Sequence, residues 1–275
     1  MKLIIKKNLI RLSKLVVDLF SLFKLSSFFF DKIIFSAINK EIKIKHNNLV
    51  LNFMAPNNLC LWRIKTFASK EPETLKWIDK FKTDSVFWDI GANIGLYSVY
   101  AAMKNHKTFC FEPSFLNLET LSKNIYLNKL QNLVTIFPVA LNDISKLSLL
   151  NMSNTMWGGA HSAFDKKTGW DGNEMIINLQ YKTLSFKADE LIDFFHLDYP
   201  NYIKIDVDGI EDLILKGSKK AISHASGILL EVTKNNTSQF EDIKNILEDA
   251  KFVLEDEIKI SELCYNQIWI SKKNL

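Results

Sequence analysis

An α/β fold on a doubly wound, mostly parallel sheet is what this sequence predicts, closed by a terminal antiparallel hairpin and preceded by a helical and hairpin extension. Two observations carry the prediction. From residue 85 onward, short apolar runs rich in β-branched and aromatic residues alternate with helix-like stretches. Buried parallel strands joined by helical crossovers have that pattern. The last two extended runs, "KFVLEDEIKI" and "CYNQIWISKK", have no helix between them, so they pair with each other.

In order along the chain, residues 1–38 read as helical. Lys7, Arg11, Lys14 and Asp18 form one stripe, and Leu, Ile, Val and Phe fill the remaining face. Such a helix either makes peripheral contact with an anionic membrane or packs on the domain or a partner subunit. Lys14, Asp18, Lys24 and Asp31 interrupt the apolar run. Nothing approaches the ~20 residues needed to span a bilayer, and no uncharged core leads to a small-residue cleavage site. The expected location is cytoplasmic, either free or on the inner face of the membrane.

Residues 41–53, "EIKIKHNNLVLNF", alternate around Asn47-Asn48, a hairpin signal because asparagine tolerates positive φ. "EPETLKWIDKF" (71–81) reads as a helix with Pro72 near its start. These make up an extension over residues 1–84, and residues 85–275 form the main domain. Its strands are predicted at 85–90, 107–113, 133–141, 201–208 and 226–232, with helices at 95–104, 114–128, 209–222 and 237–250. Residues 145–183 break the alternation with a stretch rich in Gly, Asn, Asp and Trp between short strand-like pieces. An insert of that length beside the carboxyl ends of the strands is expected to be a lid over an acceptor site.

With 275 residues, 47% of them hydrophobic and 24% charged, the chain suits one large globular domain with an extension. A net charge of +4 is far from the basic stripe of a nucleic-acid binder, so no nucleic-acid partner is expected. The three cysteines, Cys60, Cys110 and Cys264, are scattered and suggest neither a disulfide framework nor a zinc site.

The first predicted strand runs into Asp89-Ile-Gly91-Ala-Asn93-Ile-Gly95. In open α/β sheets a nucleotide sits at this place, outside the carboxyl ends of the strands. Glu112 stands at the tip of the second strand, about 20 residues on, where an acid can accept hydrogen bonds from ribose hydroxyls. That much fits NAD and S-adenosylmethionine equally. A dinucleotide brings a pyrophosphate to the glycine loop, yet here Asn93 occupies the middle position and Asp89 adds a negative charge. At an effective dielectric of ~20, like charges ~4 Å apart cost on the order of 4 kcal/mol. S-adenosylmethionine carries an ammonium and a sulfonium and no phosphate, so the acid attracts it. Asn142 and Asp143 follow the third strand, where an amide or acid could reach the adenine edge. Asp206, Asp208 and Glu231 end the fourth and fifth strands, and acids so gathered raise one another's pKa unless a cation joins them.

The set "FWDIGANIGLYS", "FEPSFLNLETLSKN", "VALND", "KTLS" and "YIKIDVDGIEDLILKG", closed by "ILLEV", resembles the FkbM family of class I methyltransferases from about residue 85 to 232, and more weakly to 270. The resemblance implies a Rossmann-like sheet of seven strands, the last antiparallel. It implies methyl transfer from S-adenosylmethionine to a hydroxyl, typically on a sugar or polyketide. It also implies cofactor contacts from Asp89, Gly91, Asn93 and Gly95, with Glu112 on the ribose. Two departures stand out. The family's Asp-Val-Glu-Gly is here Asp206-Val207-Asp208-Gly209, and Trp88 precedes the loop where a smaller residue is common.

Methyl transfer is an in-line displacement that needs positioning and, for a weakly acidic hydroxyl, a base. Asp206 is expected to be that base or to orient the acceptor. Lys204 shares its strand face and either tunes it or forms a structural pair with it. His161, in "WGGAHSAF", is the rival base. Asp206 and Asp208 could share a Mg²⁺ only if the strand has already bent, and no metal site is assigned. Trp157, Trp170 and Tyr181 in the insert offer flat faces to a sugar ring. A carbohydrate acceptor on a cell-surface polysaccharide or glycolipid is therefore expected. The alternatives are a polyketide or other small-molecule hydroxyl, and a catalytically idle binding module.

Overall fold

The computed structural model describes residues 2–21, 24–234 and 236–274. Positions 1, 22 and 23 of the predicted N-terminal helix, and 235 and 275 of the main domain, lie outside the described residues. Within the 1–38 stretch, two helices are described, α1 (Lys2–Ser21) and α2 (Lys24–Ile38). A hairpin of β1 (Glu41–His46) and β2 (Leu49–Met54) follows. It turns on Asn47 and Asn48, whose φ values are +44° and +64°. Next come α3 (Asn58–Lys65), capped by the Asn57 side chain, and α4 (Pro72–Asp79) with proline in its first turn.

The alternating region contains β3 (Val86–Ile90), α5 (Leu96–Met103), β4 (Lys107–Phe111), α6 (Phe115–Leu127) and β5 (Val134–Phe137). It continues with the short β6 (Ala140–Leu141), β7 (Lys146–Met152), β8 (Ser162–Phe164), β9 (Leu179–Phe186) and α7 (Ala188–Phe195). After these come β10 (Tyr202–Ile205), α8 (Glu211–Lys216), α9 (Lys219–His224), β11 (Gly227–Thr233), α10 (Thr237–Asp249), β12 (Phe252–Lys259) and β13 (Cys264–Ser271).

Among the described residues the main sheet has seven strands in the order β12-β13-β11-β10-β3-β4-β5, parallel from β11 to β5. β13 runs antiparallel between β11 and β12, so the terminal hairpin extends the sheet beyond β11 with its last strand on the inside. The core divides by strand parity. Trp88, Ile90, Phe109 and Ile203 face one apolar layer, and Phe87, Cys110, Tyr202 and Leu229 face the other. Trp88 is fully buried against Phe109 and Phe111, which gives the unusual residue before the loop a packing role.

Several expected boundaries move for local reasons. The strand expected over 133–141 breaks at Pro138, which lacks the N–H that a continuing ladder needs. β5 stays in the main sheet, whereas β6 pairs parallel with β9. The insert is not all loop: β7, β8 and β9, with β6, form a second sheet of four strands in the order β6-β9-β7-β8. The helix expected over 209–222 is split at Gly217-Ser218 into α8 and α9. A Cβ on Gly217 would lie 2.1 Å from the Asn142 carbonyl. β10 ends at Ile205, so Asp206 and Asp208 sit on a loop beyond the strand.

Candidate active site

The carboxyl ends of β3, β4, β10 and β11 open on a cavity of about 450 Å³, within the range of small-ligand pockets. At the end of β3 the loop turns with φ +82° at Gly91 and +52° at Asn93. A Cβ on Gly91 would stand 2.0 Å from the Asp206 carbonyl oxygen, so glycine here lets the loop close on the chain after β10. Gly95, at φ +78°, opens α5 and packs on Leu121.

Glu112 is buried at the tip of β4 and lines the cavity. One carboxylate oxygen accepts the Asn93 N–H and the other the Ser114 N–H, each at 2.8 Å. Burial pushes its carboxyl up to about 7, against the pull of these amides. The Asn93 amide that would greet a pyrophosphate is therefore already held by a carboxylate. The Asn93 side chain turns away to donate to Gly159 O at 2.8 Å.

Asp89 sits behind the loop rather than on the cavity wall. It is buried, one oxygen accepts from Ser98 Oγ, and Oδ1 has no partner. Burial raises its carboxyl, and Lys204, aligned beside it on β10, works the other way. Lys204 is itself buried. Its Nζ lies 2.6 Å from Asp206 Oδ2 and 5.0 Å from the centre of the Tyr97 ring. Burial pulls the ammonium down, but the carboxylates of Asp206, Glu71 and Asp89 more than restore it. The same partnership acts on Asp206, where burial raises the carboxyl and the Lys204 charge and bond leave it below the usual range. An acid so held stays ionised and is a weak base.

Asp208 also faces the cavity. Its Oδ2 accepts the Ser162 N–H at 2.8 Å, and its Oδ1 lies 3.8 Å from His161 Nδ1. Burial raises its carboxyl, as it does for Glu231, which is pushed to about 7 by burial and by Asp206. His161 is half exposed at φ +64° with its ring near Trp170. The strap that carries it is tied down. Asn93 and Asn117 both donate to Gly159 O, and Arg63 Nε donates to Gly158 O at 2.7 Å.

The remaining predicted residues are placed differently. Asn142 is buried away from the cavity, with its Oδ1 turned onto the Asp143 N–H, and neither residue lines the wall. The cavity wall before them is apolar, with Val139, Ala140 and Leu141. Of the three insert aromatics only Trp170 lines the cavity. Trp157 donates to Glu119, and the Tyr181 hydroxyl donates to Pro113 O. The extension supplies what the sequence reading missed: Leu59, Trp62 and Arg63 of α3 line the cavity. Arg63 forms no ion pair among the described residues. The only local signal was the Asn57 cap of a short helix, and nothing in that helix says where it docks.

Residues 89–254 match the methyltransferase FkbM domain. The chain belongs to the FkbM methyltransferase family. This FkbM methyltransferase is 26% identical over 195 residues to the hexuronic acid methyltransferase AglP of Haloferax volcanii, covering 71% of this chain and 74% of that one. Among solved structures it resembles a candidate S-adenosylmethionine-dependent methyltransferase from Streptococcus mutans, with TM-score 0.51 and 12% identity, over 84% of this chain and 55% of that one. It also matches methyltransferase FkbM from Methylobacillus flagellatus KT, with TM-score 0.46 and 18% identity, over 68% of this chain and 44% of that one. The Streptococcus likeness shows the shared fold. The family match makes the chain a methyltransferase.

Proposed function

We propose that the cavity binds S-adenosylmethionine and that the protein transfers its methyl group to a hydroxyl of an acidic sugar. The observation that carries the reading is the Glu112 carboxylate, held by loop amides and facing a cavity that Asp206, Asp208 and Glu231 also line, with Arg63 and Lys70 as its cations. The residues fit that ligand. Four carboxyls, of Glu112, Asp206, Asp208 and Glu231, line the cavity, and Gly91 lets the loop close on the chain at Asp206. The acidic wall suits a cationic adenosine and opposes a diphosphate. S-adenosylmethionine, when bound, supplies a methyl carbon already activated by its sulfonium.

The chain's own residues do the rest. Glu112 accepts the ribose hydroxyls. Lys204 fixes Asp206, whose free oxygen orients the acceptor hydroxyl. His161, with Nδ1 toward Asp208, offers Nε2 to take the hydroxyl proton, and the Asp208 carboxylate steadies the imidazolium. Trp62 and Trp170 offer faces to the sugar ring. Arg63, which lines the cavity and has no carboxylate partner among the described residues, pairs with the acceptor's carboxylate. The relative named for hexuronic acid supports an acidic sugar, and the second sheet with its strap serves as the lid.

The test is transfer of labelled methyl from S-adenosylmethionine to a panel of uronic acid and neutral glycosides, beside calorimetric titration with S-adenosylhomocysteine. Label on a uronate hydroxyl supports the reading. Binding of S-adenosylhomocysteine without transfer to any glycoside removes the acceptor, and no binding removes the reading altogether.

A further inference from the structure

Large apolar side chains outside the folded core concentrate on α1 and α2. Leu9, Leu12, Leu15, Val16 and Leu19 on α1, and Phe28, Phe29, Ile33 and Phe35 on α2, are all exposed, Leu15 and Phe35 to 66%. Soluble surfaces rarely leave a contiguous apolar patch of more than a few hundred Å² uncovered. Two occupants would cover it: a second copy of the chain or a lipid surface.

Charge decides between them. Residues 1–38 carry seven lysine and arginine residues against two aspartates. Lys7, Arg11 and Lys14 line one side of α1, opposite Leu9, Leu12, Val16 and Leu19. Two copies meeting on these helices would bring together two segments that each carry a net +5, seven cations less two aspartates, whereas an anionic surface draws them in. Lys32 Nζ lies 5.5 Å from the centre of the Phe28 ring, so a cation sits beside the exposed aromatics of α2. Among the described residues no helix is long and apolar enough to cross a membrane. An apolar face bordered by cations on non-spanning helices is the make-up of a segment that lies in the headgroup layer.

We infer that α1 and α2 dock the enzyme on anionic phospholipid, with the leucine and phenylalanine side chains in the acyl boundary and Lys7, Arg11 and Lys14 among the headgroups. This surface is independent of the methyl-transfer reading.

Cosedimentation of the full chain with equimolar phosphatidylglycerol–phosphatidylcholine vesicles, and with pure phosphatidylcholine, tests it. The chain is expected to bind the anionic vesicles. The triple variant Lys7→Gln, Arg11→Gln, Lys14→Gln is expected to partition on the order of 100-fold more weakly. The double variant Leu12→Ser, Leu15→Ser is expected to lose binding as well, with both variants keeping the wild-type melting temperature. Equal binding to neutral vesicles, or charge loss without effect, overturns the headgroup role. No vesicle binding, together with a dimer that the leucine variant dissociates, assigns the face to a second copy and overturns the proposal.

Discussion

Glu112→Gln separates two jobs that one carboxyl performs. Its carboxyl rises from 4.5 to about 7 through burial, which at 1.36 kcal/mol per pH unit is on the order of 3 kcal/mol. The folded chain holds this proton more tightly than the unfolded chain. The stabilisation is therefore complete below pH 4.5 and is lost as the pH climbs to about 7. Glutamine removes that loss. It also turns an NH₂ toward one of the two N–H groups, of Asn93 and Ser114, that the carboxylate now accepts, at a cost of about 1–3 kcal/mol. At neutral pH the two effects nearly cancel, and the variant should melt within about 5 °C of wild type.

Ligand binding should not be spared. If the ionised carboxylate receives the ribose hydroxyls, roughly a tenth of it is available at pH 6 and roughly nine-tenths at pH 8. Wild-type affinity for S-adenosylhomocysteine should then rise about tenfold between those values. In Glu112→Gln the slope should vanish and affinity at pH 8 should fall about 10- to 100-fold. Calorimetric titration at three pH values measures both. A variant that keeps the slope, or binds as wild type does, refutes the assignment of Glu112 to the ribose.

Three further expectations follow from the same geometry. Lys204→Met leaves Asp206, Asp89 and Glu71 without their buried cation and should lose about 3–5 kcal/mol in urea denaturation. Stability unchanged at neutral pH would show that the carboxyls simply take up protons. Gly91→Ala forces a Cβ to within 2.0 Å of the Asp206 carbonyl at φ +82°, so it should lose more than about 2 kcal/mol together with ligand binding; a variant that binds normally would contradict the close approach. His161→Ala should cut turnover about 10²- to 10⁴-fold while S-adenosylhomocysteine affinity stays within about twofold, and a comparable loss in Asp206→Asn with His161→Ala unaffected would move the base to Asp206.

The strand-and-helix alternation, the glycine loop and the acid at the second strand tip were legible in the sequence by itself. Each depends on local periodicity or on backbone conformation that only certain residues adopt. Asn47 and Asn48 turn the hairpin, and Gly91 makes its close approach, for reasons a single segment contains. Pairing across distance is not written that way. The strand expected over 133–141 ran through Pro138, and only the fold decided that β6 would leave the main sheet for β9. The sequence put Asp89 at the ligand, whereas strand register placed it beside Lys204 behind the loop. It put Asn142 and Asp143 near the adenine, and packing turned them away. Trp62 and Arg63 reach the cavity because α3 docks over the strap from residues 157–161. Their place is set by contacts nearly a hundred residues apart, and no local pattern encodes them.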